Sequence, residues 1–215
     1  MPKTYPVSLV LEGQKILVVG GGSVATRKVM GLIDYPIALN IVSPKLSETL
    51  QHLIDNGRCT WRRDTYNASD LENVDIVFVA TNNESVNERA YRDASALHIL
   101  INVADRPEFC SFFLPSVVRR GKLSVAVSTE GSSPFAARRL RTDIEASLSC
   151  NFEEYLDLLN DWRARVIATL PHEDTRYLFW QQATDGRVLS LIEHNDIPAA
   201  QALLEGLLGD LSTSL

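Results

Sequence analysis

The residues best suited to chemistry in this chain are Gly20, Gly22 and Ala25, spaced Gly-x-Gly-x-x-Ala directly after the apolar run Ile16-Leu17-Val18-Val19. Four consecutive apolar residues suit a strand buried on both faces of a parallel sheet. Gly20 permits a tight turn off that strand. Gly22 has no Cβ, so a pyrophosphate can approach the backbone, and Ala25 is small enough for a helix to pack closely on the sheet. The helix that follows, with Ala25, Val29 and Leu32 on one face, offers free N–H groups and the positive end of its dipole. This is the pattern of a dinucleotide-binding turn. A second candidate is Asp105, which follows another strand-like stretch at residues 99–103, apolar except for Asn102. It reads either as a turn-forming aspartate near Pro107 or as a carboxylate aimed at a ligand cleft, where it would accept a proton. A third is a basic stretch. Residues 113–142 hold Arg119, Arg120, Lys122, Arg138, Arg139 and Arg141 against a single acid, Glu130. Such a stretch is either a solvated face or a site for a ligand with several carboxylates.

The elements that must position these residues alternate between strand and helix. The first strand and helix are followed by a Tyr35-Pro36 stop and a second strand at 38–42, which completes a βαβ unit. Where a dinucleotide site usually carries an acid for the adenosine ribose, this chain has Ser43-Pro44-Lys45. Lys45 could meet a 2′-phosphate, so the residues alone leave NAD and NADP open. Residues 47–56 form a helix closed by Gly57, with Leu46, Leu50, Leu53 and Ile54 on one face. Strands are expected at 59–66 and 75–80, the latter ending in the polar turn Thr81-Asn82-Asn83. A helix at 84–97, with Val86, Ala90, Ala94 and Leu97 inward, precedes the strand at 99–103. Ligands of doubly wound sheets bind at the carboxyl ends of the strands, which gives Thr81, Asn82 and Asp105 one edge with the glycine turn. From Phe112 the pattern changes. An alternating strand covers 123–128, and Ser133 and Pro134 are good N-cap and N1 residues for a helix with Ala137, Leu140, Ile144 and Leu148 on one face. The start of that helix is a second candidate anion site. Beyond 148 the chain is helical, with Trp162, Phe179 and Trp180 as core or interface anchors and Pro171 and Gly186 as punctuation.

Composition limits the rest. A chain of 215 residues with 45% hydrophobic content can bury a core in a nucleotide domain plus a smaller region. The division expected is a dinucleotide domain at 1–112, a central segment at 113–147 and a helical region at 148–215. No apolar run is long enough to span a bilayer, and the N-terminus carries no signal-peptide pattern. Cys59, Cys110 and Cys150 are odd in number and far apart, which fits a reducing cytoplasm better than disulfides or zinc. The net charge is −6, but residues 148–215 hold eleven acids against four bases. An acidic chain with few aromatics in its basic stretch makes nucleic acid a poor partner.

Six collinear motifs carry a family resemblance: Tyr5-Pro6-Val7, the run from Val18 to Lys28, Ala80-Thr81-Asn82-Asn83, Asn102-Val103-Ala104-Asp105, the run from Phe113 to Gly121, and the run from Ser128 to Pro134. Together they resemble the sirohaem-synthase dehydrogenase/ferrochelatase module, the precorrin-2 dehydrogenase family. The resemblance covers about residues 5–147. It implies an α/β fold: a Rossmann-like parallel sheet, then a small α+β dimerisation segment and a helical C-terminal region. It implies NAD⁺-dependent oxidation of precorrin-2 to sirohydrochlorin and, in bifunctional members, Fe²⁺ insertion to give sirohaem. It also implies a homodimer packed through about 113–147. By resemblance, the catalytic aspartate is Asp105 and the cofactor contacts include Ser23, Val24, Pro44 and Lys45. Within the matching motifs, Ser116, Arg119, Arg120, Ser132 and Ser133 are the expected contacts to a tetrapyrrole rich in carboxylates. Members of the family also lack an acid after the second strand, so the resemblance favours NAD. Asn82-Asn83 departs from the family, in which acids are frequent there. The methyltransferase domain of fused members is not expected in this chain. A rival from another class is a non-catalytic NAD-binding sensor or dimeric regulator, which explains the glycine turn but not Asp105 together with the basic stretch. A dehydrogenase for a smaller acid is the enzymatic rival, and no catalytic His or Lys in a familiar motif supports it.

Overall fold

The computed structural model describes residues 3–213; the two positions at each end, where the outer domain limits were expected, lie outside the described residues. The chain divides into two compact units, Lys3–Leu114 and the part from Pro115 onward.

The first unit is a Rossmann-like parallel sheet. Its strands are β1 (Lys15–Val19), β2 (Ala38–Val42), β3 (Thr60–Arg62), β4 (Ile76–Val79) and β5 (Leu100–Val103), in spatial order β3-β2-β1-β4-β5. The helices are α1 (Ser23–Met30), α2 (Glu48–Asp55) and α3 (Glu84–Ala96). Side chains alternate across a strand, so β1 feeds two cores. Ile16 and Val18 pack with Ala25, Val29 and Leu50, and Leu17 and Val19 with Ala90 and Ala94. Both faces of the sheet are therefore covered, which is why the run from Ile16 to Val19 is apolar without interruption. The register matters most for function. Val19 lies opposite Val42 and Val79, and Val79 opposite Val103. Four strands thus stop at one level, and Gly20, Ser43, Ala80 and Ala104 emerge along one edge.

Several boundaries differ from the sequence expectation. α1 ends at Met30, with Gly31 as its C-cap, and the chain turns before Tyr35-Pro36 is reached. β3 is short because Arg62 is captured by Asp64 at 2.7 Å and by Asp70 at 2.5 Å, and the Thr65 amide donates to the Asp64 carboxylate, bending the chain. Leu97 lies beyond α3 and is 58% exposed rather than inward.

The second unit begins with an antiparallel hairpin, β6 (Ser116–Arg120) and β7 (Leu123–Val127). No strand was expected over β6; Ser-Val-Val-Arg-Arg lacks alternation and only Val118 is buried. α4 (Pro134–Ser147) packs on the hairpin through Ala137, while Leu140 is half exposed, contrary to expectation. Helices α5 (Phe152–Thr169), α6 (Glu173–Ala183), α7 (Arg187–Glu193) and α8 (Ile197–Thr213) enclose a core around Trp162, Val166, Phe179 and Leu204. Among the described residues no helix is long and apolar enough to cross a membrane.

Candidate functional site

The glycine turn opens a cavity of about 540 Å³ at the sheet edge. Gly20, Gly22, Ser23, Val24, Pro44, Lys45, Thr81 and Asn82 all line it. Ala25 does not; it is fully buried on the inward face of α1 and packs on the sheet, which is the job its size suits.

Each glycine of the turn answers a different constraint. Gly20 has φ +125°, and a Cβ there would lie 2.2 Å from the Ala80 carbonyl oxygen. At Gly21, to which no role was assigned from sequence, a Cβ would lie 1.9 Å from the Lys45 carbonyl oxygen. Gly21 is needed because the β1–α1 and β2–α2 loops are laced together there. The Ser47 amide donates to the Gly21 carbonyl at 2.8 Å, and the Ser43 hydroxyl donates to the Lys45 carbonyl at 2.7 Å. Around Gly22 a Cβ would meet nothing within 4 Å. The space beside it is open, as a ligand would require. Gly22 is also the N-cap of α1, and no side chain caps that helix. The first-turn amides of α1 therefore have no intrahelical acceptor and no side-chain substitute. Unsatisfied donors, a helix dipole and open space together fit a dinucleotide pyrophosphate.

Residues beyond the glycine motif complete the cavity: Asp64, Thr65 and Tyr66 after β3, and Asn83 and Val86 at α3. They carry no motif, and only the sheet order brings them here. Tyr66 is buried, and its hydroxyl donates to the Asp93 carboxylate at 2.9 Å. Burial, with that hydrogen bond, raises its phenol well above the usual range. The acid that lines the cavity is thus Asp64, just after β3 and paired with Arg62, rather than one at the end of β2.

Asp105 lies two residues beyond β5, on the same edge but outside the cavity lining. It is exposed and has φ +58°. For a residue with a Cβ this left-handed geometry costs roughly 1–2 kcal/mol, so the loop around it must hold it. The loop does so with side chains acting as a strand would. The Ser111 hydroxyl accepts from the Ile101 amide at 2.8 Å, and the Cys110 sulfur accepts from the Val103 amide and lies 3.3 Å from the Val103 and Arg106 carbonyls. Burial pushes the Cys110 thiol up from its ordinary value. Arg106, beside Asp105, pairs with Glu84 at the start of α3 and with Glu108.

In the second unit, Ser116 opens β6, Arg119 and Arg120 close it, and Ser132 and Ser133 precede α4. Much of the basic stretch is neutralised within the unit. Arg120 pairs with Glu145 at 3.6 Å, Lys122 with Asp157 at 2.7 Å and Arg139 with Asp143 at 3.0 Å, and Arg141 also pairs with Glu145. Ser133 is the N-cap of α4 and accepts from the Ala136 amide at 3.2 Å. Its oxygen is already engaged in closing the helix.

Three family models match in chain order: an NAD(P)-binding family over residues 7–116, the sirohaem biosynthesis protein central region over 120–147, and the sirohaem synthase dimerisation region over 154–208. The dimerisation match falls downstream of the 113–147 segment for which dimer packing was expected. The siroheme synthase of Nitrosococcus oceani is 36% identical over 205 residues, 94% of this chain and 44% of that protein. The siroheme synthase of Actinobacillus succinogenes is 36% identical over 201 residues, 94% of this chain and 42% of that protein. The chain thus spans less than half the length of these curated relatives. A solved structure of SirC, precorrin-2 dehydrogenase, superposes with a TM-score of 0.76 at 27% identity, covering 94% of this chain and 100% of that one.

Proposed function

Because the chain belongs to the NAD(P)-binding family and carries the sirohaem central and dimerisation regions, we propose that it is an NAD⁺-dependent precorrin-2 dehydrogenase. The product is sirohydrochlorin, and the enzyme works as a homodimer in the cytoplasm. The observation that carries the reading is the uncapped, glycine-built start of α1 on the sheet edge from which Asp105 also emerges. The α1 amides and the loops around Lys45, Thr81 and Asn82 hold the cofactor, which when bound accepts a hydride. Asp105 accepts the proton that leaves the substrate as the new double bond forms. Arg119 and Arg120, with Ser116, Ser132 and Ser133 nearby in sequence, meet the tetrapyrrole's carboxylates. The same carboxylate of Asp105 would take pyrrole N–H protons if Fe²⁺ is a second substrate.

The test is to mix the protein with precorrin-2 and NAD⁺, follow the absorbance, and then add Fe²⁺. Asp105→Asn keeps the size of the side chain but removes the base. We expect its turnover to fall on the order of 10²- to 10⁴-fold with NAD⁺ affinity and melting temperature little changed. Normal turnover would remove Asp105 from the mechanism. NAD⁺ binding with no turnover by the unmodified protein would leave the regulator reading in its place.

A further inference from the structure

Lys28 stands in the last turn of α1, and its side chain runs half-buried over two strands. Its ammonium lies 5.2 Å from the centre of the Phe78 ring on β4 and donates to the Asn102 side-chain oxygen on β5 at 2.7 Å. Asn102 is buried and its amide is fully used: the nitrogen donates to the Phe112 carbonyl at 3.0 Å and lies 3.7 Å from the Cys110 sulfur. Phe112 in turn packs edge-on against Phe78, with ring centres 5.5 Å apart. One charged group thus connects α1, strands β4 and β5 and the return end of the loop that carries Asp105. Burial, chiefly, draws the ammonium below its ordinary range, while the neighbouring Cys110 and Asp105 act in the opposite sense.

We propose that Lys28 is a positioning residue that ties the Asp105 loop to the helix whose first turn holds the cofactor. The inference rests on the assignment of Asp105 as the base. α1 has two ends with two duties. Its start faces the cavity, and its last turn, through Lys28, fixes Asn102 and the clasp formed by Cys110. Cofactor and base are then referred to one rigid element, and their separation does not depend on a nine-residue loop acting alone. The left-handed backbone at Asp105 needs such support, because the relaxed alternatives of that turn would aim the carboxylate elsewhere.

The test compares Lys28→Met, which keeps length but loses charge and donor, with Lys28→Arg, which keeps both. In Lys28→Met, amides of residues 104–112 should exchange about tenfold faster, the protection owed to one charge-assisted hydrogen bond, while those of β4 are unchanged. Turnover with precorrin-2 should fall on the order of 10- to 100-fold, as expected for a displaced catalytic group, with the KM for NAD⁺ unaltered. Lys28→Arg should recover most of both. Unchanged exchange over 104–112 would overturn the proposal, and so would equal acceleration through β4 and β5, which would mean general loosening. If Asp105→Asn turns over normally, the base assignment falls by itself, and the exchange comparison still decides the tether because it needs no substrate.

Discussion

Two helix starts in this chain were both candidate anion sites, and they are built in opposite ways. α1 begins at Gly22, which has no side chain to offer, and its first-turn amides are left without a partner. α4 begins at Ser133, whose hydroxyl accepts from Ala136, and its next residue, Pro134, has no amide hydrogen at all. Thr129 adds a second layer, accepting from the Ser133 amide at 3.2 Å and donating to the Ser133 carbonyl at 3.1 Å. Both ends share the helix dipole, so the dipole does not distinguish them. What distinguishes them is whether the donors are already satisfied. A start that is well capped is good for the helix and poor for a ligand. α2 and α3 also begin at the cavity, but Ser47 and Asn83 cap them by accepting from Leu50 and Val86, so of the three helix starts that line it only that of α1 has no side-chain cap.

The largest way to break the comparison is to damage the turn itself. Gly20→Ala places a Cβ against the Ala80 carbonyl oxygen at a backbone angle that side chains rarely adopt. The strain of that angle, about 1–3 kcal/mol, adds to overpacking of about 1–3 kcal/mol, so we expect a loss of roughly 2–6 kcal/mol in denaturant unfolding of the first unit. NAD⁺ binding would be lost with the fold. A variant of unchanged stability would mean that the turn is looser than its register indicates.

Gly22→Asp sharpens the comparison, because it converts the α1 start into one of the α4 kind. The site has room for a side chain, and aspartate is a good N-cap, so stability should stay level or rise by a few tenths of a kcal/mol. The same carboxylate would occupy the donors and repel a pyrophosphate. A penalty of about 2–4 kcal/mol for close like charges at a protein surface corresponds to NAD⁺ affinity on the order of 10²-fold weaker. Calorimetric titration measures it, and unaltered affinity would place the cofactor elsewhere.

The difference between the two starts was only half legible in the sequence. Gly20, Gly22 and Ser133 announce their roles by residue type, since a glycine turn and a serine N-cap are local chemistry. The sheet was legible for the same reason: runs such as Ile16–Val19 and Ile76–Val79 are long enough in apolar residues to require burial on both faces. Gly21 was silent because its constraint comes from the Lys45 carbonyl, 24 positions away. Asp64 and Tyr66 reach the cavity only through the order of the strands, and Lys28 reaches Asn102 across 74 positions. β6 escaped notice because a hairpin with one buried residue leaves almost no periodic trace. The six bases of residues 113–142 stood out in composition, yet their acids, Glu145 and Asp157 among them, lie outside that window. The sequence therefore overstates the free positive charge of the segment.

The smallest effect tests the other side of the comparison. Ser133→Ala removes the oxygen that satisfies the Ala136 amide without offering the space or the walls of a ligand site. An N-cap serine replaced by alanine typically costs about 1 kcal/mol. That loss should appear as faster amide exchange at Ala136 and Ala137, while NAD⁺ affinity stays as it was, since the cavity at the glycine turn is lined wholly by residues of the first unit. Ser133→Gly should cost only a few tenths of a kcal/mol, because a glycine N-cap leaves the freed amide open to water. That second variant makes α4 resemble α1 at its first position, but Pro134 still withholds one donor. If precorrin-2 binding is unchanged in both variants, Ser133 serves only as a cap, and the proposed substrate contacts of this segment reduce to Ser116, Arg119, Arg120 and Ser132. If binding weakens in Ser133→Ala by more than the stability loss accounts for, and Ser133→Gly does not restore it, the hydroxyl meets the substrate as well as the helix. The opposition drawn between the two starts would then apply to the dinucleotide alone.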